Sequence, residues 1–242
     1  MVFYLVVIAV ALLIGLSKGG LGGILGTLAT PLMVLVVPAD QAIGLILPIL
    51  MVADIFAVLL HWRGWDNKLI LLLLPGAVVG VTIGTLFITN APTDLLRKGL
   101  GVIVLLFALY KLFEARILGA LPYVSRRWHG LLAGTVAGFS SALAHTGGPP
   151  VSIYLLLQRV TPAVFIGTSA LFFGLLNWIK VPYYVYAGLL TWPRVQQIAW
   201  VLPLVPLFVW LGRWLSRQVD PATFERIIVW LLALSGVMLI VS

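Results

Sequence analysis

Long apolar runs, interrupted only by short polar or glycine-rich segments, restrict the fold of this chain more than any other feature. Leu69 to Pro75 and Ile227 to Leu234 contain no polar side chain. A transmembrane β-barrel would alternate apolar and polar residues. A soluble domain would carry roughly 25% charged residues, whereas this chain has 9%, with 62% hydrophobic residues. The sequence therefore predicts an all-α polytopic membrane protein.

The apolar stretches form two series of five, separated by a more polar linker. They cover 2–16, 24–37, 41–60, 69–88 and 95–113, then 130–143, 151–157, 163–179, 195–215 and 224–241. Similar residues recur at matching places, offset by 123 residues at Asp54 and Asn177 and by 129 at Pro92 and Pro221. Internal duplication is common in transporter folds. We predict a first repeat over 1–118, a linker over 119–127 and a second repeat over 128–242.

Each half opens with two short segments joined by glycine-rich sequence, GLSKGGLGG at 15–23 and SSALAHTGGPP at 140–150. These segments are short beside the roughly 20 residues that a spanning helix needs. Irregular backbone is tolerated at membrane depth only where protein covers it or where it lines a wet cavity. We therefore expect both loops to lie inside the membrane and to face the protein interior.

The basic residues between apolar stretches indicate how the two halves are oriented. With Lys18 assigned to neither side, the other basic residues divide ten to four if each short pair returns to its starting side, which makes the halves inverted. They divide eight to six if each pair is one broken crossing. The smaller set of the first count is Arg97, Lys98, Lys180 and Arg194. The larger asymmetry favours inverted repeats with both termini outside the cytoplasm.

The net charge of +8 is a topology signal here, because the basic residues lie between membrane segments rather than on one polar face. We therefore expect no nucleic-acid partner. The chain has no cysteine, no H-E-x-x-H and no G-x-S-x-G, and adjacent Ser17 and Lys18 point in different directions on a helix or strand. Without a complete catalytic set we predict no enzyme, no cofactor and no metal site.

The two loops are the predicted binding site. In inverted halves the second short helix of each pair begins at membrane depth, with its N–H groups and positive dipole end toward the midplane, which suits an anion. Two structural alternatives stay open: the glycines serve close helix packing, and Lys18 reaches an interface or pairs with Asp54. The predicted substrate-binding residues are Ser17, Lys18, Gly19, Gly20, Gly22, Gly23, Ser141, His145, Thr146, Gly147 and Gly148.

Asp54 is the acidic residue that lies well inside an apolar stretch. An acid at membrane depth is a candidate carrier of a proton or cation, and its alternative is a structural ion pair or hydrogen bond. Its counterpart Asn177 carries no proton, so coupling through this position is asymmetric. His145 either titrates beside an anion or serves as a fixed hydrogen-bonding residue. We assign coupling to Asp54 and Asn177.

Three segments, GLSKGGLGGILGTLATPLMVL, PADQAIGLILP and GFSSALAHTGGPPVSIYLL, occur within the duplicated pattern. Together they resemble the TauE/SafE family of sulfite exporters, over about Tyr4 to Leu239. The resemblance implies a carrier in the bacterial inner membrane that moves small sulfur-containing or organic anions, such as sulfite or sulfonates. The second loop has no lysine matching Lys18, so the resemblance does not extend to a symmetric two-lobed anion site.

We therefore predict a secondary transporter that exports small anions by alternating access around the two loops. Its partners are a small anionic substrate, a coupling proton or sodium ion, and the lipid bilayer; a homodimer is expected from general prevalence alone. An anion channel and a non-transporting membrane scaffold are the alternatives. Bends that allow one repeat to rock against the other are expected at helix prolines Pro48, Pro75, Pro182 and Pro203.

Overall fold

A computed structural model describes residues 1–21, 24–120, 126–218 and 221–241, and their side chains except those of 24, 115, 117–120 and 221–227. Across these residues the chain is helical and forms no β-strand. The helices are α1 (Val2–Leu16), α2 (Ile24–Thr27), α3 (Ala29–Val34), α4 (Ala39–Leu60), α5 (Asn67–Asn90), α6 (Thr93–Ala120), α7 (Arg127–Ala144), α8 (Gly148–Leu157), α9 (Pro162–Tyr186), α10 (Trp192–Ile198), α11 (Val205–Leu215) and α12 (Pro221–Val241).

Several helices are long and apolar enough to cross a bilayer. Within the described residues these are Val2–Leu21, Ala39–Leu60, Asn67–Asn90 and Pro162–Tyr186. The prediction of a polytopic helical membrane protein is confirmed. The first segment differs from our expectation, because α1 and the π-helical turn that follows it at Ser17–Leu21 together make a candidate span of 20 residues, with a kink at Gly20. A 20-residue helix is long enough to span the hydrocarbon core.

Helix ends follow local sequence. The Asp66 carboxylate accepts hydrogen bonds from the N–H groups of Lys68 and Leu69, at 2.7 and 3.3 Å, and so caps α5. The Thr161 hydroxyl accepts from the N–H of Val164 at 3.4 Å, ahead of Pro162 at the first position of α9. These caps fix where α5 and α9 begin.

Glycines let α5 and α7 pack backbone against backbone. A Cβ added at Gly76 or Gly80 would collide with carbonyl oxygens of α7, and one added at Gly134 or Gly138 would collide with carbonyl oxygens of α5. The four-residue spacing places each pair on one helix face. Small residues at such intervals allow helices to approach closely in a membrane. The α5–α7 pair is therefore a close contact between the two halves of the sequence.

Helices α1 and α11 also pack backbone against backbone at glycines. Gly15 and Gly19 lie against the backbone around Val209, and Gly212 lies against the backbone of Leu16. The first helix of each half thus packs on a helix of the other half. The other large contacts between these helices join α6 with α12, α4 with α9 and α5 with α9.

Of the four predicted bend points, three lie inside continuous helices and one lies at a break between two helices. Pro48, Pro75 and Pro182 lie inside the continuous helices α4, α5 and α9. Pro203 lies in a 3₁₀ turn, Leu202–Leu204, between α10 and α11, where the helix direction changes by 52°. Proline lacks an N–H and clashes with the preceding turn of a helix, so Pro203 accounts for the sharp break at this position.

The tight α5–α7 contact gives a stability test. Gly80→Ala places a methyl group against the carbonyl oxygen of Thr135, and overpacking of this kind costs about 1–3 kcal/mol. The control is Gly99→Ala, where only a ring atom of Phe87 lies near, at 3.9 Å, and where alanine adds up to ~1 kcal/mol of helix propensity. Thermal unfolding of the purified protein in detergent should show a lower midpoint for Gly80→Ala and an unchanged or higher one for Gly99→Ala. Equal shifts would contradict the packing role.

Candidate functional site

Both glycine-rich loops interrupt helices. In the first, the π-helical turn contains Gly20 at φ 136°, a backbone conformation that suits glycine, and α2 begins at Ile24. In the second, α7 ends at Ala144, His145 adopts the left-handed conformation at φ 54°, and α8 begins at Gly148. The predicted residues Gly22 and Gly23 lie outside the described part of the chain.

The second break is stabilised by its own polar groups. The Thr146 hydroxyl donates to the Ser140 carbonyl at 3.3 Å, and the Ser140 hydroxyl donates to the Val136 carbonyl at 2.8 Å. The His145 N–H donates to the Ser141 carbonyl at 3.0 Å. Thr146 was predicted to contact substrate, but its hydroxyl is bonded within the break and its side chain is buried. Its observed contacts are structural.

Neighbouring helices bind the last carbonyl groups of α7, which lack partners within the helix. The Thr30 hydroxyl of α3 donates to the Ala144 carbonyl at 2.8 Å, and the Tyr184 hydroxyl of α9 donates to the Ala142 carbonyl at 2.7 Å. These bonds allow an irregular backbone to exist inside the protein without water. They also attach the break to both halves of the sequence.

Lys180 of α9 is a functional candidate that the sequence did not identify. Its side chain is 0% exposed. Its Nζ lies 2.9 Å from Nδ1 of His145, 3.1 Å from the Ser141 hydroxyl oxygen and 3.4 Å from the Ser141 carbonyl oxygen. Three acceptors match the three hydrogens of an ammonium group. A cation here also complements the negative end of the α7 dipole.

This position corrects the placement of Lys180 in an extracytoplasmic connection. The sequence predicts that this apolar stretch ends at residue 179, whereas α9 continues through Pro182 to Tyr186. Without Lys180, the count of basic residues on the two sides of the membrane changes from ten against four to ten against three. One sequence signal could have found it, because Lys180 follows Asn177 by three residues and so shares its helix face.

The hydrogen bonds of His145 fix its tautomer. Its Nε2 lies 3.0 Å from the Ile43 carbonyl oxygen, which can only accept, so Nε2 carries the hydrogen. Nδ1 is then the acceptor for Lys180. A proton on Nδ1 would face the ammonium group directly. In this geometry His145 is a neutral hydrogen-bonding residue that connects α4, α9 and the second break.

Lys18, Asp54 and Asn177 form the other half of the cluster. The Lys18 ammonium lies 2.5 Å from Oδ1 of Asp54, and the Asn177 amide donates to Oδ2 at 2.5 Å. Lys18 also lies over the ring of Phe173, 5.0 Å from its centroid, in a cation–π contact. The structural alternative for Lys18, pairing with Asp54, is therefore the arrangement observed. The two predicted coupling residues touch each other directly.

The cluster contains more positive than negative groups. Asp54 attracts the Lys180 ammonium and Lys18 repels it, so the three groups act on one another. Among the described side chains of this cluster, two lysines face one carboxylate. In a medium of low dielectric constant such an excess of positive charge is costly and attracts an anion.

The glycines of the two breaks have different surroundings. Gly19 packs on α11 and Gly147 on α7, so neighbouring protein occupies the space beside their Cα atoms. A Cβ at Gly148 would meet no heavy atom within 4 Å. Pro149 and Pro150 follow it in the first turn of α8 and remove two of the N–H groups expected to face an anion. Of these glycines, Gly148 borders open space.

A cavity of about 510 Å³ lies between α6, α7 and α8. Its walls are largely apolar, and Ser140 and Thr146, which it reaches, use their hydroxyl groups within the second break. Lys18, Asp54, Asn177, Lys180 and His145 do not line it. The charged cluster, rather than this cavity, is the better candidate for anion chemistry.

The Lys18–Asp54 pair gives a second stability test. Lys18→Met or Asp54→Asn alone leaves one charge without its partner, which should cost about 2 kcal/mol, below the roughly 3–5 kcal/mol of a fully buried pair because Lys18 is 19% exposed. The double variant removes both charges and should recover much of the loss. Thermal unfolding of the four proteins in detergent forms the cycle. Additive losses would mean that the two side chains do not interact.

Comparison with known proteins gives one result. The family model described as Sulfite exporter TauE/SafE matches residues 7–239 of this chain. Comparisons with curated proteins and with solved structures gave no match. The matched region includes both helix breaks and every described residue of the charged cluster, and the family consists of membrane transporters. The chain is a multi-pass membrane protein that belongs to the TauE/SafE family of sulfite exporters.

Proposed function

We propose that this chain is a secondary transporter that exports small anions, such as sulfite or organosulfonates, across the bacterial inner membrane. The observation that carries the proposal is a buried cluster with two lysines and one carboxylate, placed between two helix breaks. We place the substrate beside Lys18 and near Gly148. Lys180, His145 and Asn177 hold the surrounding structure.

The two lysines have different tasks. Lys180 is fully buried and already donates to three acceptors, so it fixes the second break and adds positive potential. Lys18 is 19% exposed, and it follows the helical part of α1 in a turn whose backbone departs from regular geometry at Gly20. A substrate anion can therefore reach Lys18 more readily than Lys180.

Alternating access is supported by the way the halves interlock. Lys18 belongs to the first half and Lys180 to the second, so rocking one half against the other would change the separation of the two cations. The α5–α7 and α1–α11 pairs exchange equivalent helices between the halves, as a pseudo-two-fold relation requires. We propose inverted repeats over 1–118 and 128–242, with both termini outside the cytoplasm.

Asp54 supports coupling to a proton. Its carboxylate is nearly inaccessible and lies between Lys18 and Asn177. Asn177 cannot carry a proton, and His145 is held neutral because it donates to the Ile43 carbonyl and accepts from Lys180. We propose that a coupling proton, rather than sodium, binds at Asp54. A homodimer and the absence of a nucleic-acid partner stay predictions from sequence.

Flux through proteoliposomes tests the function. Sulfite efflux should saturate with concentration and show counterflow. Lys18→Met should lower transport efficiency roughly 10- to 100-fold, the value of a charge-assisted hydrogen bond of about 1.5–3 kcal/mol. Gly148→Leu should block flux by filling the open space beside α8. The controls are Lys98→Met at an exposed site in α6 and Gly99→Leu on the same helix, which should keep most of the flux.

Other results of the flux experiment would favour the alternative functions or exclude the charged cluster. Flux that rises linearly and shows no counterflow would favour an anion channel. Well-folded protein that moves neither sulfite nor a series of organosulfonates would favour the scaffold alternative. Equal losses in Lys18→Met and Lys98→Met would remove the charged cluster from the transport pathway.

A further inference from the structure

The Lys18 ammonium already has an anion beside it, the carboxylate of Asp54. Oδ1 of Asp54 lies 2.5 Å from Lys18 and accepts no hydrogen bond from the other described residues. Oδ2 is held separately by the Asn177 amide. The two oxygens therefore have different partners, and Oδ1 depends on Lys18 alone.

We propose that Asp54 acts as an internal substitute for the substrate, so that its carboxylate and the substrate anion compete for Lys18. Protonation of Oδ1 releases Lys18 to the incoming anion, while Oδ2 keeps its bond to Asn177. This inference rests on the proposed function, since it takes Lys18 as the cation that binds substrate. It makes proton binding and anion binding mutually favourable.

The charge of the site is the same before and after this exchange. With no substrate, the negative charge beside Lys18 is the Asp54 carboxylate. With substrate, it is a monovalent anion, and Asp54 is neutral because it has taken one proton from water. Lys18 therefore has a negative partner in both states, and the net charge of the cluster does not change. One proton and one monovalent anion then leave the cytoplasm together with no net movement of charge, so the outward gradient of the anion drives both.

Among the described side chains, no other charged group near Asp54 is placed to compete for Lys18. Those that face it are Lys18 from the first break, Lys180 from α9 and His145 from the second break. At the other end of α4, Arg194 of α10 pairs with Asp40 at 3.5 Å. Arg213 of α11 is exposed, and α6 meets α4 near Ile43 and Leu47, also toward its N-terminal half.

The test uses methanesulfonate, a monovalent anion whose charge does not change across the working pH range. Binding to purified full-length protein in detergent is measured by isothermal titration calorimetry from about pH 8 to about pH 5. We expect the wild-type dissociation constant to fall as the pH is lowered, by up to about tenfold per pH unit for a single linked proton. Titration in buffers of different ionisation enthalpy should show up to one proton taken up per anion bound.

Asp54→Asn should bind methanesulfonate as tightly at high pH as the wild type does at low pH, without proton uptake. The anion should also raise the thermal unfolding midpoint of Asp54→Asn more than that of the wild type, because the bound anion replaces the negative partner that Lys18 lacks in the variant. Asp40→Asn is the matched control, since it removes another carboxylate from α4 that pairs with an arginine outside the cluster. It should keep the wild-type pH dependence.

The outcomes separate the two proposals. Wild-type binding that is equal at all pH values and takes up no proton overturns the competition between Asp54 and substrate, and leaves anion transport intact. Absence of binding of methanesulfonate and sulfite to folded wild-type protein and to Asp54→Asn overturns the proposed function and this inference together. Because proton uptake is measured on the wild type, the test does not depend on the variant folding.

Discussion

The two helix breaks can exist at membrane depth because neighbouring helices supply the hydrogen-bond partners that water supplies elsewhere. The end of α7 shows this most clearly. Thr30, Tyr184 and Lys180 donate to the carbonyl groups of Ala144, Ala142 and Ser141. Close packing is the condition for these contacts, and glycines on α5 and α7 provide it by letting the two backbones meet. The packing of the long helices therefore determines whether a polar site can form at all.

The same contacts divide structural from substrate-binding groups. Lys180 is saturated by its three acceptors, so a ligand that took one of its hydrogens would loosen the second break. Within the described part of the chain Lys18 has a single charged partner, and exchanging that partner leaves the second break intact. A binding site needs at least one group whose contacts can change at low cost. Of the two buried cations, Lys18 meets this condition, and Lys180 contributes a fixed potential.

Much of this fold follows from the sequence, because apolar length and glycine-rich interruptions are local properties. The positions of α4, α5 and α9 and of both breaks could be predicted in this way. The partners of Lys180 could not, since its contacts to Ser141 and His145 join segments whose approach depends on helix packing. The role of the glycines was also undecided in the sequence. Gly19 and Gly147 pack against helices while Gly148 borders open space, and all three occur in similar local sequence.

The proposed repeats meet at Asp54 and Asn177. The difference between these two side chains limits the chemistry of the site. A carboxylate at residue 177 would stand beside that of Asp54, and two like charges at this distance repel, which would hold one of them protonated. An amide donates to Asp54 instead, and Asp54 is then the one member of the pair that can carry a proton. The cations are likewise asymmetric, because the offset of 123 residues places Lys180 opposite the buried Ala57 and Lys18 opposite Ser141. The two halves thus supply one cation each from different positions, one fixed to a helix break and one able to exchange its partner.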